Sequence, residues 1–569
     1  MSQLSPRVSR RRLLRTASLA GVGALAIPLV NCGGSSTSKT PTVGTTAVPT
    51  TSSTGGAATA SPAAAASAAS QSAATPAKSQ VLRYADSAGP RSIDPANALE
   101  SNSLHVVRAA YEGLAADVFG TTQLKPHLAT SWKVSTDATT YTFTLQQGVK
   151  FHDGTTMDAT AVKKSYDRVI QMNLGPAGLL QDVDQVTVVD PSTVTITLKK
   201  PNVYFIAYVP KIGIVSPTAW QQHDKGGDMG AAWLEQNTAG TGPFKITQIR
   251  PNEAWVMDRF NDYWRGWSGN HLTQIQELVV PEVTTAVQML EAGQLEYASS
   301  LGPDDYKHLQ SVPGVTVHIS KNYEIDIISL DVTKAPLTDV RVRQAFQYAF
   351  DYDGFLKNVL LGWGTIPTGP IAPGYPSFNP TLAPFKQDMA KAKQLLSEAN
   401  VGNVSIDANF VSGNVREQQS ATVLQSSLQQ LGITLNLKAL PWSTMFSLAG
   451  NAAQAMPLSN LLMSTFTSDP TFTLNQNYGC TFVGKPYNWS YYCSTQAQAL
   501  IDQAQGTVDQ QKSYGLLQQA QKLVLDDAPA IFYANPQAVD ATSSKVQNYA
   551  WDPIDYYWQV DWYSIWLSQ

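Results

Sequence analysis

From residue 81 onward the chain switches repeatedly between two hydrophobic periods. VLRYADSAG (81–89) alternates apolar and polar positions and then breaks at Gly89, which predicts an opening strand. SNSLHVVRAAYEGL (101–114) spaces its apolar positions for a helix, with Ser101 or Asn102 as the cap. TYTFTLQQGVKF (140–151) predicts a strand, a turn at Gly148 and a second strand. Asp158 is placed to cap a helix over 159–171, and 183–200 reads as two strands around the Asp190-Pro191 turn. Gly240 and Gly242 lead into PFKITQIR and then the strand AWVMDRF. Helical spacing returns over 283–293, 339–362, 388–400, 416–432 and 495–528, with Gly293 and Gly362 closing the first two. Strands and helices interleave throughout, so the class is α/β, and no internal repeat is visible.

Size and composition narrow the function. A chain of 569 residues exceeds one core and predicts two or three folded units. The net charge is −4 and no run of Lys and Arg forms a basic face, so nucleic acid is not expected as a partner. Outside the N-terminus no apolar run reaches membrane-spanning length.

The N-terminus is separate from the fold. SRRRLLR (9–15), an apolar stretch from Ala17 to Val30 and LVNC ending at Cys32 describe an export signal over 1–32. The first part resembles a twin-arginine motif. The second resembles a lipobox, with Asn31 departing from the small residue usual before the cysteine. This makes Cys32 the candidate lipidation site, holding the protein at a membrane surface. Residues 33–79 are almost all Ser, Thr, Ala, Gly and Pro, and read as a disordered tether. The location implied is extracytoplasmic, either lipid-anchored at the cell membrane or periplasmic.

There are three cysteines, and two of them, Cys480 and Cys493, flank the aromatic loop YGCTFVGKPYNWSYYC (478–493). Outside the cytoplasm such a pair is expected to be a disulfide. His318 is the last histidine in the chain, so a zinc site in this loop is not expected, and C-x-x-C spacing is absent.

The order of segments resembles the substrate-binding proteins of the peptide/nickel ABC-transporter family, over essentially all of 80–569. The resemblance rests on YEGL (111–114), PHLATSWKVSTDATTYTFTLQQGVKFHDGTTMDATAVKKSYDR (126–168), GTGPFKI, NDYWRG (261–266) and LEAGQLEYA (290–298). APLTDVRVRQAFQYAFDYD (335–353), AKQLLSEA (392–399) and AQKLVLDDAPAIFY (520–533) follow in the same order. It implies a two-lobed periplasmic-binding-protein-like fold, of the type II, large cluster C form, with an extra domain. The expected boundaries are 80–334 plus 535–569 for the first lobe, with the extra domain at about 127–170 inside it, and 335–534 for the second. The hinge is expected near Leu330 and Tyr533. The resemblance also implies a monomer that captures a ligand between its lobes and delivers it to an ABC permease and its ATPase.

Catalysis finds no support in the residues. G-x-S-x-G, H-E-x-x-H and P-loop patterns are absent. HDGT (152–155) reads as a turn before the capped helix, and His105 as a half-buried helix residue. Arg341 and Arg343 read as partners in salt bridges. Neither an enzyme nor a cofactor is expected.

For the ligand, the resemblance supplies one motif. Peptide-binding members carry a W-x-x-D-Y-x-D-P-like stretch whose first Asp pairs with the peptide amine. Here the matching stretch is MSTFTSDPTF (463–472), anchored on Asp469-Pro470, which puts Phe466 at the position of that Asp and Met463 at that of the Trp. A free ammonium would then lose its partner. Trp442, Trp489 and Tyr491 are candidate aromatic faces for a sugar ring, with Asn475, Gln476, Asn477 and Asn488 as hydroxyl partners. Arg416, Asn460 and Asp469 complete the candidate contacts. A neutral or sugar-like solute such as an oligosaccharide is the first expectation, a peptide with altered anchoring the second, and use of the same fold as a non-transport sensor or an enzyme the third.

Overall fold

The structure is a computed structural model, and it describes residues 74–98, 101–485, 487–554 and 560–569. The signal over 1–32, Cys32 and all of the tether up to residue 73 lie outside the described residues.

Two mixed sheets organise the body. The first has seven strands in the order Val315–Ser320, Ala538–Ser543, Tyr297–Ala298, Val81–Asp86, Gln274–Val279, Ala254–Arg259 and Phe244–Arg250. Val81–Asp86 is its parallel centre, flanked by Gln274–Val279 and Tyr297–Ala298. The second has six strands in the order Gly364–Thr365, Ala530–Pro536, Ile325–Leu330, Leu458–Met463, Val404–Val411 and Ile433–Leu440. Every residue of Ile325–Leu330 is buried, which fits a strand covered on both faces.

The chain crosses between the sheets twice, from Ser320 to Ile325 and from Pro536 to Ala538. Both crossings lie outside the expected hinge positions. Leu330 ends a strand of the second sheet and Tyr533 is buried within another. Ile325–Leu330 therefore belongs with the second sheet, ahead of the expected boundary at 335. The reason is pairing at long range: Ile328 sits opposite both Asn460 and Ile531, and no local pattern records that. Asn535 ties the crossings together by donating from its side chain to the carbonyls of Asn322 (3.0 Å) and Glu324 (2.6 Å).

The extra region is an antiparallel sheet of four strands, Ala129–Val134, Thr140–Leu145, Thr193–Leu198 and Val183–Asp190. It runs on past 170. Thr140–Leu145 buries alternate residues, as its sequence pattern demands. The helix Ala159–Met172 covers this sheet, and Asp158 accepts from the Ala161 amide at 2.9 Å to cap it. Gly148 does turn the chain, but the expected strand after it is only a single bridge, Lys150 to Thr156.

Three local expectations change. The helix from 101 stops at Ala110, so YEGL lies beyond it. The helix expected over 339–362 is two helices, Val340–Ala349 and Tyr352–Asn358, because Asp351 caps the Gly354 amide at 2.9 Å and starts a new axis. Pro76 and Ala77, inside the expected tether, pair with Ser568 and Leu567 at the chain's end.

Candidate functional site

A cavity of 250 Å³ opens between the two lobes. The first lobe supplies Leu104 and Arg108 from the helix Ser101–Ala110, Pro176 and Leu179 from the 3-10 turn Gly175–Leu180, and Lys211. The second supplies Phe466, Phe472, Gln476, Phe482, Lys485 and Tyr487. The wall is chiefly apolar and aromatic. Its polar edge holds Arg108, Lys211, Lys485, Gln181 and Gln476, and no carboxylate is among the described residues that line it.

Three local features set the second-lobe wall. The strand Leu458–Met463 ends just before Phe466 and delivers it to the cavity. Asp469 then caps the helix Pro470–Tyr478, accepting from the Thr471 amide (2.7 Å) and hydroxyl (2.6 Å). That helix carries Phe472 and Gln476 inward. Last, Cys480 and Cys493 are joined as a disulfide, and the loop they close supplies Phe482, Lys485 and Tyr487. Tyr487 takes φ 94°, a left-handed conformation costly for a tyrosine, and its ring packs edge-on to Phe446 at 5.7 Å between centroids. Asn488 holds the loop by donating to the carbonyls of Gly479 (3.1 Å) and Tyr492 (2.8 Å).

The residues singled out from sequence scatter. Phe466 lines the cavity. Asp469 is fully buried beside it and serves as a cap, and it also accepts a hydrogen bond from Tyr208. Burial raises its carboxyl above the ordinary range, against the bonds from Thr471 and Tyr208. Gln476, expected as a hydroxyl partner, also lines the cavity, whereas Asn475, Asn477, Asn488 and the other five candidates are not among the described wall residues. Trp489 is in the core of the second lobe, stacked under Trp442, whose outer face is exposed (5.6 Å, 21°). Tyr491 is buried and donates to the Ala449 carbonyl at 2.7 Å. Asn460 is buried in its strand, donating to the Glu417 carbonyl (2.8 Å) and accepting from Tyr533 (3.0 Å). Arg416 pairs with Glu324 (2.5 Å) and Asp326 (3.2 Å) near the first crossing. Arg341 pairs with Asp339, as expected, but Arg343 instead donates to the carbonyls of Asp527 (3.0 Å) and Leu337 (2.7 Å).

Sequence reasoning named none of the first-lobe wall residues, and on the second lobe it missed Phe472, Phe482, Lys485 and Tyr487. Their signal was present: Phe472 follows the capping Asp469-Pro470 pair, and the other three sit inside the cysteine-bounded loop.

HDGT is structural. His152 is held by Gly242 and Thr238, and burial pushes its imidazole down to about 4. His105 is wholly buried, edge-on to Tyr84 at 5.5 Å. Four of the segments that carried the resemblance meet at one buried carboxylate. Glu112 of YEGL lies 2.8 Å from His127 Nε2 and accepts from Thr241 (2.8 Å), Tyr263 (2.7 Å) and Trp264 (3.0 Å).

Residues 123–485 match the model of the bacterial extracellular solute-binding proteins, family 5 Middle. The chain belongs to family 5 of the bacterial extracellular solute-binding proteins. Among the relatives of this family 5 protein is a probable D,D-dipeptide-binding periplasmic protein of Escherichia coli K12, 28% identical over 82% of this chain and 91% of its own. Another is a glutathione-binding protein of Pectobacterium atrosepticum, 28% identical over 80% and 89%. The periplasmic binding protein DppA of Helicobacter pylori, solved with the peptide STSA, superposes with a TM-score of 0.77 at 23% identity, covering 86% of this chain and 98% of that one. The two-lobed fold is thus that of the family. The family 5 protein is an extracytoplasmic receptor that captures a solute between its lobes and delivers it to an ABC importer. The family is one of binding proteins. Among the described residues, no helix is long and apolar enough to cross a membrane.

Proposed function

We propose that this receptor takes a compact, apolar, peptide-like solute whose amino end is not held by an aspartate. The observation that carries the reading is Phe466. It stands in the cavity wall at the position where the resemblance puts the amine-pairing Asp, and no described wall residue is a carboxylate. A ligand ammonium there would be desolvated without a partner, at a cost of several kcal/mol. Phe466, Phe472, Phe482, Leu104 and Leu179 offer apolar area to a side chain instead. The relatives named for dipeptide and glutathione binding favour the peptide class. The oligosaccharide reading is weaker, because Trp489 and Tyr491 are committed to the core and the wall offers few groups for hydroxyls. A cavity of 250 Å³ fits a small ligand or one part of a longer one.

The remaining features belong to the same proposal. Cys32 carries the lipid, and the tether beyond it lets the body reach the permease at high local concentration. The protein works as a monomer and performs no chemistry on its cargo. The first lobe comprises about 76–320 and 538–569, with the four-stranded region 129–198 as the extra domain, and the second comprises 325–536.

A thermal-shift screen of the full chain, without reductant, tests the ligand class. The panel is apolar dipeptides with free amines, their N-acetylated forms, and short oligosaccharides. Binding stabilises by RT ln(1 + [L]/Kd), about 2.7 kcal/mol at a hundredfold excess over Kd. The N-acetylated dipeptides are expected to raise the melting temperature most. A response confined to free-amine dipeptides would overturn the amine argument, and one confined to sugars would overturn the peptide class.

A further inference from the structure

The first lobe holds a second cavity, of 120 Å³. Three separate stretches wall it: the paired strands Ala115–Asp117 and Leu124–Pro126, the turn around Arg265, and residues 560–563 near the chain's end. It adjoins the apolar cavity, because Arg108 lines both. Arg108 donates to the Pro210 carbonyl at 2.6 Å, and the neighbouring Lys211 pairs with Asp117 at 3.0 Å.

The charged groups of this cavity divide by sign. Its carboxylates are engaged. Glu112 is ringed by His127, Thr241, Tyr263 and Trp264, and Asp117 holds Lys211. Asp552 accepts from the Ile554 amide at 3.1 Å, and Asp561 from the Ser564 hydroxyl at 2.5 Å. Two of its cations are not engaged in this way. Lys125 and Arg265 form no ion pair with any described residue. Asp561 attracts Arg265 only from beyond ion-pair distance.

Arg265 is also held in shape. Its guanidinium lies 4.0 Å over the Tyr563 ring. Tyr563 packs against Tyr263 (5.2 Å between centroids) and Trp267 (5.4 Å), and donates its hydroxyl to the Gly266 carbonyl at 3.0 Å. Stacking occupies the face of the guanidinium and leaves its edge of N–H donors, a planar fork that matches two oxygens of one anion.

We propose that this cavity is an oxyanion site, in which Arg265 makes a bidentate pair with a carboxylate or phosphate group and Lys125 adds a second positive charge. The group is the anionic end of the captured solute or a free ion. A solute whose apolar body fills the larger cavity reaches this site past Arg108. The inference stands apart from the amine argument at Phe466 and from the peptide class.

Titration calorimetry on the full chain tests it. Inorganic phosphate probes the free ion, and N-acetyl-leucyl-leucine against its C-terminal amide probes the solute-borne group. Wild type is expected to bind phosphate, to prefer the carboxylate over the amide by at least about tenfold, or both. Arg265→Gln is expected to weaken phosphate about tenfold and to remove the preference within the pair. Lys125→Gln, at an exposed strand position, is expected to reduce each effect about threefold, and it keeps the test decisive should Arg265→Gln fail to fold. Phosphate binding without a preference in the pair assigns the free ion, and a preference without phosphate binding assigns the solute's end. No phosphate binding together with no carboxylate preference overturns the site. So does binding or preference that both variants leave undiminished, because the anion then sits elsewhere. Phosphate binding with no response to either peptide counts against the peptide class alone, so the two readings fail separately.

Discussion

His127 Nε2 lies 2.8 Å from the buried carboxylate of Glu112, and this contact is the centre of a closed polar cluster in the first lobe. Thr241, Tyr263 and Trp264 donate to the same carboxylate. Burial works to raise this carboxyl, but His127, Tyr263 and Trp264 outweigh it and hold it below the ordinary range. Glu112→Gln puts an amide donor where Thr241 and Trp264 already donate. The expected cost is about 2–3 kcal/mol in urea unfolding at pH 7. The sign with pH follows from a depressed carboxyl. Its contribution is complete above the unfolded value and is lost as pH falls through the folded one. The gap between wild type and variant is therefore expected to narrow in acid.

Asp94 and Arg168 form a fork in the same lobe, with both N–H···O contacts at 2.5–2.7 Å and both side chains buried. Asp94→Ala leaves the guanidinium buried without its counter-charge. The expected loss is about 3–5 kcal/mol, read from the urea midpoint. Arg168→Met with Asp94→Leu is expected to recover much of that loss, because the cost lies in the unpaired charge.

His152 gives a pH dependence of separate origin. Burial pushes it down to about 4 from an ordinary 6.5. Between those values the unfolded chain binds a proton that the folded chain refuses, so stability falls as pH drops through this window. The full effect is roughly 3 kcal/mol. Asp86 and Asp540, raised by burial to about 6 and about 7, act in the opposite direction. A difference measurement isolates His152: the destabilisation caused by His152→Gln is expected to be larger at pH 7 than at pH 5.

What could be read in advance was what is local. Asp158 caps its helix because cap, first turn and apolar stripe are all neighbours in sequence. The break at Asp351 also has a local signal, but the apolar spacing continues through it and masks it. Sheet membership was not legible for Ile325–Leu330, whose partners are Leu458–Met463 and Ala530–Pro536. In the loop, sequence marked out the rings but not their directions. Tyr487 and Tyr491 both take positive φ, and those two reversals decide that Tyr487 meets the cavity while Trp489, Tyr491 and Tyr492 go inward. Phe466 was found because a motif fixed its place. Arg416 and Asn460 were chosen for residue type, and their partners come from elsewhere in the fold.

The disulfide closes a separation of 13 residues, and the loop bears three wall residues. Replacing both Cys480 and Cys493 by Ser is expected to cost about 2–3 kcal/mol of stability. It is also expected to remove most of the ligand-induced rise in melting temperature, because Tyr487 no longer has a held loop to keep it at φ 94°. Calorimetry with and without the ligand from the panel separates the two effects. Serine variants that melt lower but keep the full ligand response would show that the loop only stabilises.

Phe466→Asp is the substitution that speaks most directly to ligand choice. Phe466 is half-buried in a wall with no carboxylate among its described members. An aspartate there is partly desolvated in the empty protein, so the variant is expected to melt lower than wild type. A ligand ammonium supplies the missing counter-charge, and pairing then returns the cost with the hydrogen bonds it forms. Free-amine apolar dipeptides are expected to bind the variant at least about tenfold more tightly than wild type, a gain of about 1.4 kcal/mol. Their N-acetylated forms carry no charge and gain nothing from it, so they are expected to bind the variant more weakly. Titration calorimetry with one matched pair reads both. Equal change for the two members of the pair would place the amino end away from residue 466 and leave Phe466 as a contact for the ligand's apolar body alone.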